Sequence, residues 1–135
     1  MKYICFGYLD LRSWEARTQS EQQSTMDACF AYDEWLRKNG HWVSGEALQG
    51  PGTATTLRYR NGQVVPTDGP YAETKEVLGG LLVLEARDLN EAIQLMTNHP
   101  GSKMGPWEIR PAADLGAMAA DSRRRRAAGF PPTKF

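Results

Sequence analysis

Two stretches of this chain are apolar on both of their faces, and that restricts what it can fold into. Residues 2–9, K-Y-I-C-F-G-Y-L, set Tyr3, Cys5, Gly7 and Leu9 against Ile4, Phe6 and Tyr8, and residues 79–86, G-G-L-L-V-L-E-A, are apolar on both faces as well. Alternate side chains of a strand leave on opposite sides of its sheet, so both segments need cover above and below and are expected at a sheet's centre. Between and beyond them the chain reads strand, helix, strand, hairpin, strand, helix, strand. The spacing predicts a helix over residues 20–39, closed by Gly40, with Met26, Cys29, Tyr32 and Leu36 in one arc of about 120°. Asp33 stands at the border of that arc. Strands over residues 41–48 and 53–60 follow, divided by Gly50-Pro51-Gly52, and Asn61-Gly62 is a two-residue hairpin signal returning through residues 63–66. Asp88 and Glu91, at capping spacing, open a short helix that stops at His99-Pro100-Gly101. A last strand over residues 107–111 precedes a helix from Asp114 into Ser122.

This order suits an α+β fold: a ferredoxin-like antiparallel sheet with two main helices on one face, an extra hairpin and a C-terminal helix. Two helices cover one sheet face. The other, also apolar, needs a partner, and the economical partner is a second copy stacked across a two-fold axis, a homodimer of the dimeric α+β barrel type. The 135 residues suffice for one domain, expected over residues 1–121, with a basic, Pro-containing tail over residues 122–135. Leu115, Met118 and Ala119 are expected to dock on the body and to leave Arg123, Arg124, Arg125 and Arg126 in solvent, with Gly129 and Pro131-Pro132 preventing further helix. Sixteen Lys+Arg balance sixteen Asp+Glu, so no overall field draws in nucleic acid, and the arginines read as cations at a helix C-terminus. Direct nucleic-acid binding is therefore not expected. No apolar run reaches the roughly 20 residues of a membrane span and no signal-peptide pattern opens the chain, so no membrane partner and a cytoplasmic location are expected. Cys5 and Cys29 read as buried thiols. His41 and His99 stand alone at element ends, without ligand spacing, so neither a metal nor a cofactor is expected.

The densest polar run is the nine-residue D-G-P-Y-A-E-T-K-E of residues 68–76, between the hairpin and the second doubly apolar strand. Asp68-Gly69-Pro70 favours a turn, and Glu73, Lys75 and Glu76 suit a solvated short helix. Ionisable groups of both signs beside an apolar strand also suit a reactive site. The run resembles the D-G-P-F-x-E-T-K-E signature of the YCII-related, or DGPF-domain, proteins, with Tyr71 in place of Phe. Gly45-Glu46-Ala47-Leu48 and residues 53–58 resemble that family's second and third strands, and Trp107-Glu108-Ile109-Arg110-Pro111 its closing strand. The resemblance implies a dimeric ferredoxin-like α+β fold with a cleft between subunits. Some YCII relatives are dehydrochlorinases or use a His-Asp pair near the first helix; residues 20–39 here contain no histidine, a departure from that pattern.

The expected function is binding of a small organic ligand in an intersubunit cleft, with proton-transfer or elimination chemistry of a lyase, dehydrochlorinase-like or isomerase-like kind. Asp68 is the candidate base, accompanied by Glu73, and Lys75 is the electrostatic partner of an anionic substrate or oxyanion. Tyr71 and Trp42 are candidate apolar walls. Arg58 or Arg110 with Lys75 would make an anion pocket, and the alternative for the arginines is a cross-strand ion pair. Asp33 is a second candidate base, and its plain alternative is an i,i+4 pair with Arg37. The helix dipole is a sufficient structural reason for His99 at a helix end. Because family members are often encoded beside or fused to extracytoplasmic-function sigma factors, the alternative is a non-enzymatic regulatory module associated with them.

Overall fold

The computed structural model describes residues 1–129. β1 (Lys2–Asp10) runs through the middle of the main sheet, between β5 (Glu76–Glu85) and β6 (Trp107–Pro111). β2 (Trp42–Ala47) lies outside β5, giving the order β2-β5-β1-β6 with every pairing antiparallel. The two doubly apolar segments are thus the two inner strands. β3 (Thr55–Arg60) and β4 (Gln63–Asp68) form a separate hairpin. Its turn has Asn61 at φ 50° and Gly62 at φ 79°, the left-handed pair that lets two strands return with their natural twist.

α1 (Leu11–Glu15) and α2 (Gln19–Lys38) connect β1 to β2, and α3 (Leu89–Thr97) connects β5 to β6. α2 begins where Thr18 and Glu21 cap each other, each side chain accepting the other's backbone N–H at 3.1 and 3.0 Å. It ends before Gly40, whose φ of 77° suits a helix stop. Asp88 caps α3 by accepting the Glu91 N–H at 2.9 Å. The short α1 has no counterpart in the sequence reading; Asp10 nucleates it by accepting the Arg12 N–H at 3.0 Å.

Strand register puts Tyr3, Cys5, Leu82 and Leu84 on one sheet face, where Leu36 of α2 and Ala92, Leu95 and Met96 of α3 complete the core. Burial pushes the Cys5 thiol up to about 11, so it stays a neutral core group at ordinary pH. Ile4, Phe6, Leu81 and Val83 lie on the opposite face, all half-buried.

The C-terminal expectation is corrected. α4 (Leu115–Ala127) continues through Arg123, Arg124, Arg125 and Arg126 instead of stopping at Ser122, and it crosses the expected boundary at residues 121–122. Leu115 and Met118 are 73% and 58% exposed, so the expected docking is not made. The helix is held locally: Asp114 accepts the Ala117 N–H, and Asp121 pairs with Arg124 and Arg125 three and four residues on. Three small or apolar positions over one turn give too narrow a stripe to anchor it. The expected break at Pro131-Pro132 lies outside the described residues. Residues 73–76 are not helical either: Glu76 opens β5, and the Thr74 hydroxyl donates to the Glu76 carbonyl at 2.6 Å. Among the described residues no helix is long and apolar enough to cross a membrane.

Candidate functional site

A cleft of about 440 Å³ opens between α2 and the sheet. Its sheet side includes the glycines Gly7, Gly45, Gly79 and Gly80. A Cβ at Gly7 would lie 2.6 Å from the Trp107 ring, one at Gly45 2.6 Å from the Trp42 ring, and one at Gly80 2.8 Å from the Glu46 carbonyl oxygen. Only glycine lets both indoles settle against the strands. α2 supplies Met26, Cys29, Phe30, Asp33 and Arg37 to the wall, at the three- and four-residue intervals that place side chains on one face.

Among the residues lining this cleft is an acid–imidazole pair. His99 is 5% exposed and Asp33 16%, with His99 Nε2 3.1 Å from Asp33 Oδ1. The Gly101 N–H donates to His99 Nδ1 at 3.0 Å. Since Nδ1 must accept, the hydrogen-bond network assigns the imidazole proton to Nε2, directed at the carboxylate. The Tyr32 ring meets the imidazole edge-on at 5.3 Å and Trp107 lies 5.7 Å away. Tyr32 is itself fixed by its hydroxyl, which donates to the Leu95 carbonyl at 2.6 Å. A Cβ at residue 101 would press within 3.0 Å of Nδ1, so glycine permits the close backbone contact.

These two residues lie 66 positions apart. Asp33 projects from α2, and His99 begins the 3₁₀ turn Pro100–Lys103 just after α3. Packing both crossover helices on the same sheet face brings them together. The expected Asp33–Arg37 pair is replaced: Asp33 turns to His99, and the Arg37 guanidinium carbon stands 4.1 Å above the Trp42 ring. His99 likewise owes its place to two hydrogen bonds and aromatic packing, not to a helix dipole alone.

Cys29, one helical turn before Asp33, also lines the cleft. Burial, then the Asp33 charge, pushes its thiol up, against a backbone hydrogen bond from Gly101 that pulls it down. Removing that charge lowers the thiol's proton affinity and enlarges its thiolate fraction, the form that reacts. Asp33→Asn is therefore expected to speed iodoacetamide labelling of Cys29 severalfold at pH 8, followed by peptide mass spectrometry. An unchanged or slower rate would count against the electrostatic contact.

The signature residues lie elsewhere. Asp68 ends β4 opposite Thr55. The next residue, Gly69, at φ 106°, is held by a 2.8 Å bond from its N–H to the Ala54 carbonyl and another from the Thr56 hydroxyl to its own carbonyl. Arg58 donates to the Tyr71 carbonyl at 3.0 Å and covers the Tyr71 ring at 5.4 Å, leaving Tyr71 78% exposed. Glu73 is exposed, and the Lys75 ammonium, on an 82% exposed side chain, lies 3.8 Å from Asp10. Arg110 pairs with Glu108 at 2.7 Å along its own strand, not across strands. The structure thus joins Arg58 with Tyr71 but sends Arg58, Lys75 and Arg110 to three different partners. Of the anticipated site residues, Trp42 and the second candidate base Asp33 line the cleft.

His41 lies outside it, its Nδ1 2.9 Å from the Glu85 carbonyl. Among the described residues no three His, Cys, Asp or Glu side chains gather where a metal ion could be held. In the sequence Asp33 stands at the edge of the buried arc and His99 at a helix end, and nothing local pairs them. Gly101, two residues beyond His99, was the remaining signal.

A model of the YCII-related domain matches residues 1–115. An uncharacterized protein of Rhizobium meliloti (strain 1021) is 37% identical over 115 residues, covering 84% of this chain and 93% of that protein. Among solved structures, the 5-chloro-2-hydroxyhydroquinone dehydrochlorinase of Burkholderia phenoliruptrix AC1100, in complex with 2,5-dihydroxybenzoquinone, superposes with a TM-score of 0.50 at 17% identity. That match covers 84% of this chain and 94% of the other, and it is a likeness of fold.

Proposed function

This chain belongs to the YCII-related domain family, and from that premise we propose that its cleft binds a small planar organic molecule and that Asp33 takes a proton from it in an elimination. The observation that carries the reading is the Asp33–His99 pair set into a largely apolar, aromatic-walled cleft. Both imidazole nitrogens are engaged, so the lone pairs left for a ligand are those of the Asp33 carboxylate. The proton passes to Asp33, the electron pair it leaves behind becomes a new π bond, and the leaving group departs as an anion with its own bonding pair. His99 holds the carboxylate in place throughout, and the apolar walls keep competing water away. We place the proton transfer on Asp33 and not on Asp68, which ends the hairpin outside the cleft.

A chlorinated hydroxyhydroquinone is the first substrate to offer, because the structural neighbour's name describes one. Chloride release above the buffer rate supports the reading. Wild-type protein that neither binds nor dechlorinates such phenols counts against it.

We further propose a ferredoxin-like dimer in which a second copy covers the face bearing Ile4, Phe6, Leu81 and Val83. Support comes from these side chains being apolar on the side away from α2 and α3. A stable stacked interface should bury more than roughly 1,000 Å². Sedimentation equilibrium at micromolar protein is expected to return twice the 15.1 kDa chain mass. A monomer at that concentration would overturn the assignment.

A further inference from the structure

We propose that Arg37 makes this cleft selective for ligands bearing a negatively charged oxygen, the phenolate and carboxylate class; the inference rests on the cleft being a small-molecule site, as argued above. Beside the neutral Tyr8 hydroxyl and Cys29 thiol, the charged or titratable side chains among its lining residues are Asp33, Arg37, Glu46 and His99. Asp33 and His99 are committed to each other. Glu46 stands opposite Leu81 in the strand register, on the face turned away from α2, and what it brings against Gly80 is its backbone carbonyl. Arg37 remains: among the described residues its guanidinium makes no ion pair, and its recorded contact is the face of Trp42.

That contact does more than fill space. A guanidinium lying on an aromatic face is held by the ring's quadrupole while its N–H groups stay directed outward along the edges. Trp42 therefore orders a long, otherwise mobile side chain without consuming its donors. The ordered fork matches the paired oxygens of a carboxylate or the single oxygen of a phenolate. The position on α2 matters equally. Arg37 follows Asp33 by four residues, so cation and proton acceptor line the same helix face one turn apart. A ligand lying along that face puts its anionic oxygen at Arg37 and its transferable proton at Asp33. Without Arg37, the Asp33 charge alone would repel an anionic ligand.

The test uses two probes of one shape, 4-nitrophenol, whose ionised form is coloured, and 4-nitrotoluene, which cannot ionise. Each is titrated into the full-length protein by calorimetry, with absorbance reporting the ionisation of the bound phenol. The expected result is that 4-nitrophenol binds as the phenolate, with its apparent pKa lowered on the protein. Arg37→Met is expected to weaken phenolate binding about tenfold or more and to abolish the spectral shift, leaving 4-nitrotoluene binding unchanged. Arg37→Lys should restore part of the loss, as a point charge without the fork. Arg37 is exposed, and an unaltered melting temperature in both variants confirms that folding is not the cause. The inference is overturned, with the cleft reading intact, if 4-nitrotoluene binds as tightly as the phenolate or if Arg37→Met binds both probes like the wild type. If neither probe binds the wild type, the cleft reading and this inference fall together.

Discussion

Asp33→Asn protein should remain folded and lose elimination turnover by about 10²- to 10⁴-fold, the usual contribution of a positioned proton acceptor. The amide oxygen of asparagine can still accept the His99 Nε2–H, so the loss is chemical and not a collapse of the cleft. Chloride release from a chlorinated hydroxyhydroquinone, measured beside the wild type and with a melting curve on the same sample, separates the two causes. Turnover within about tenfold of wild type would remove Asp33 from the mechanism. A large fall in melting temperature without loss of turnover would assign the pair a purely structural role.

Leu36→Ala is expected to produce the largest loss of stability among single substitutions near the cleft. Leu36 is fully buried and is the α2 side chain seated in the core formed with Leu84 and Cys5. Truncating such a leucine costs about 2–5 kcal/mol, part of it from the cavity left behind. For a chain of this size that corresponds to a fall in melting temperature of roughly 10 °C. Because Leu36 lies three residues beyond Asp33, the same change should also loosen the carboxylate's registration with His99 and raise KM before the protein unfolds. Calorimetry showing a drop below about 3 °C would mean that the helix is held by its aromatic rim, where Trp35 stacks on Tyr32, and not by its buried stripe.

Features that depend on neighbouring residues were legible. The doubly apolar runs marked β1 and β5, Asn61-Gly62 marked the hairpin turn, and Asp88 with Glu91 marked the start of α3. Each of these works through one face, one turn or one cap, and the relevant groups stand within four residues of each other. The candidate site was legible only in fragments. The buried arc of α2 was correctly oriented, but periodicity specifies which face is covered without specifying what covers it. Asp33 was therefore matched with a local arginine, while its structural partner came from the far end of the other crossover. The same limitation explains α4: its apolar positions suggested docking, yet nothing in a single helix says whether a receiving surface exists. The signature run stands open to two readings for a different reason. Its density of ionisable groups is equally compatible with a turn pinned by Arg58, Thr56 and the Asp10–Lys75 contact.

The acid and its imidazole belong to different halves of the chain. Asp33 belongs to the unit that runs from β1 to β2, and His99 to the unit that runs from β5 to β6, with the hairpin between them. Neither unit can assemble the pair alone, and a folding intermediate in which only one has condensed does not possess it. The proposed turnover would thereby be conditional on completed topology. A nascent chain or a proteolytic fragment lacks the Asp33–His99 pair until β5 has inserted beside β1 and the second crossover has closed over the sheet. The proposed chemistry would therefore have no site in a half-made chain and would begin only once there is a cleft to contain it.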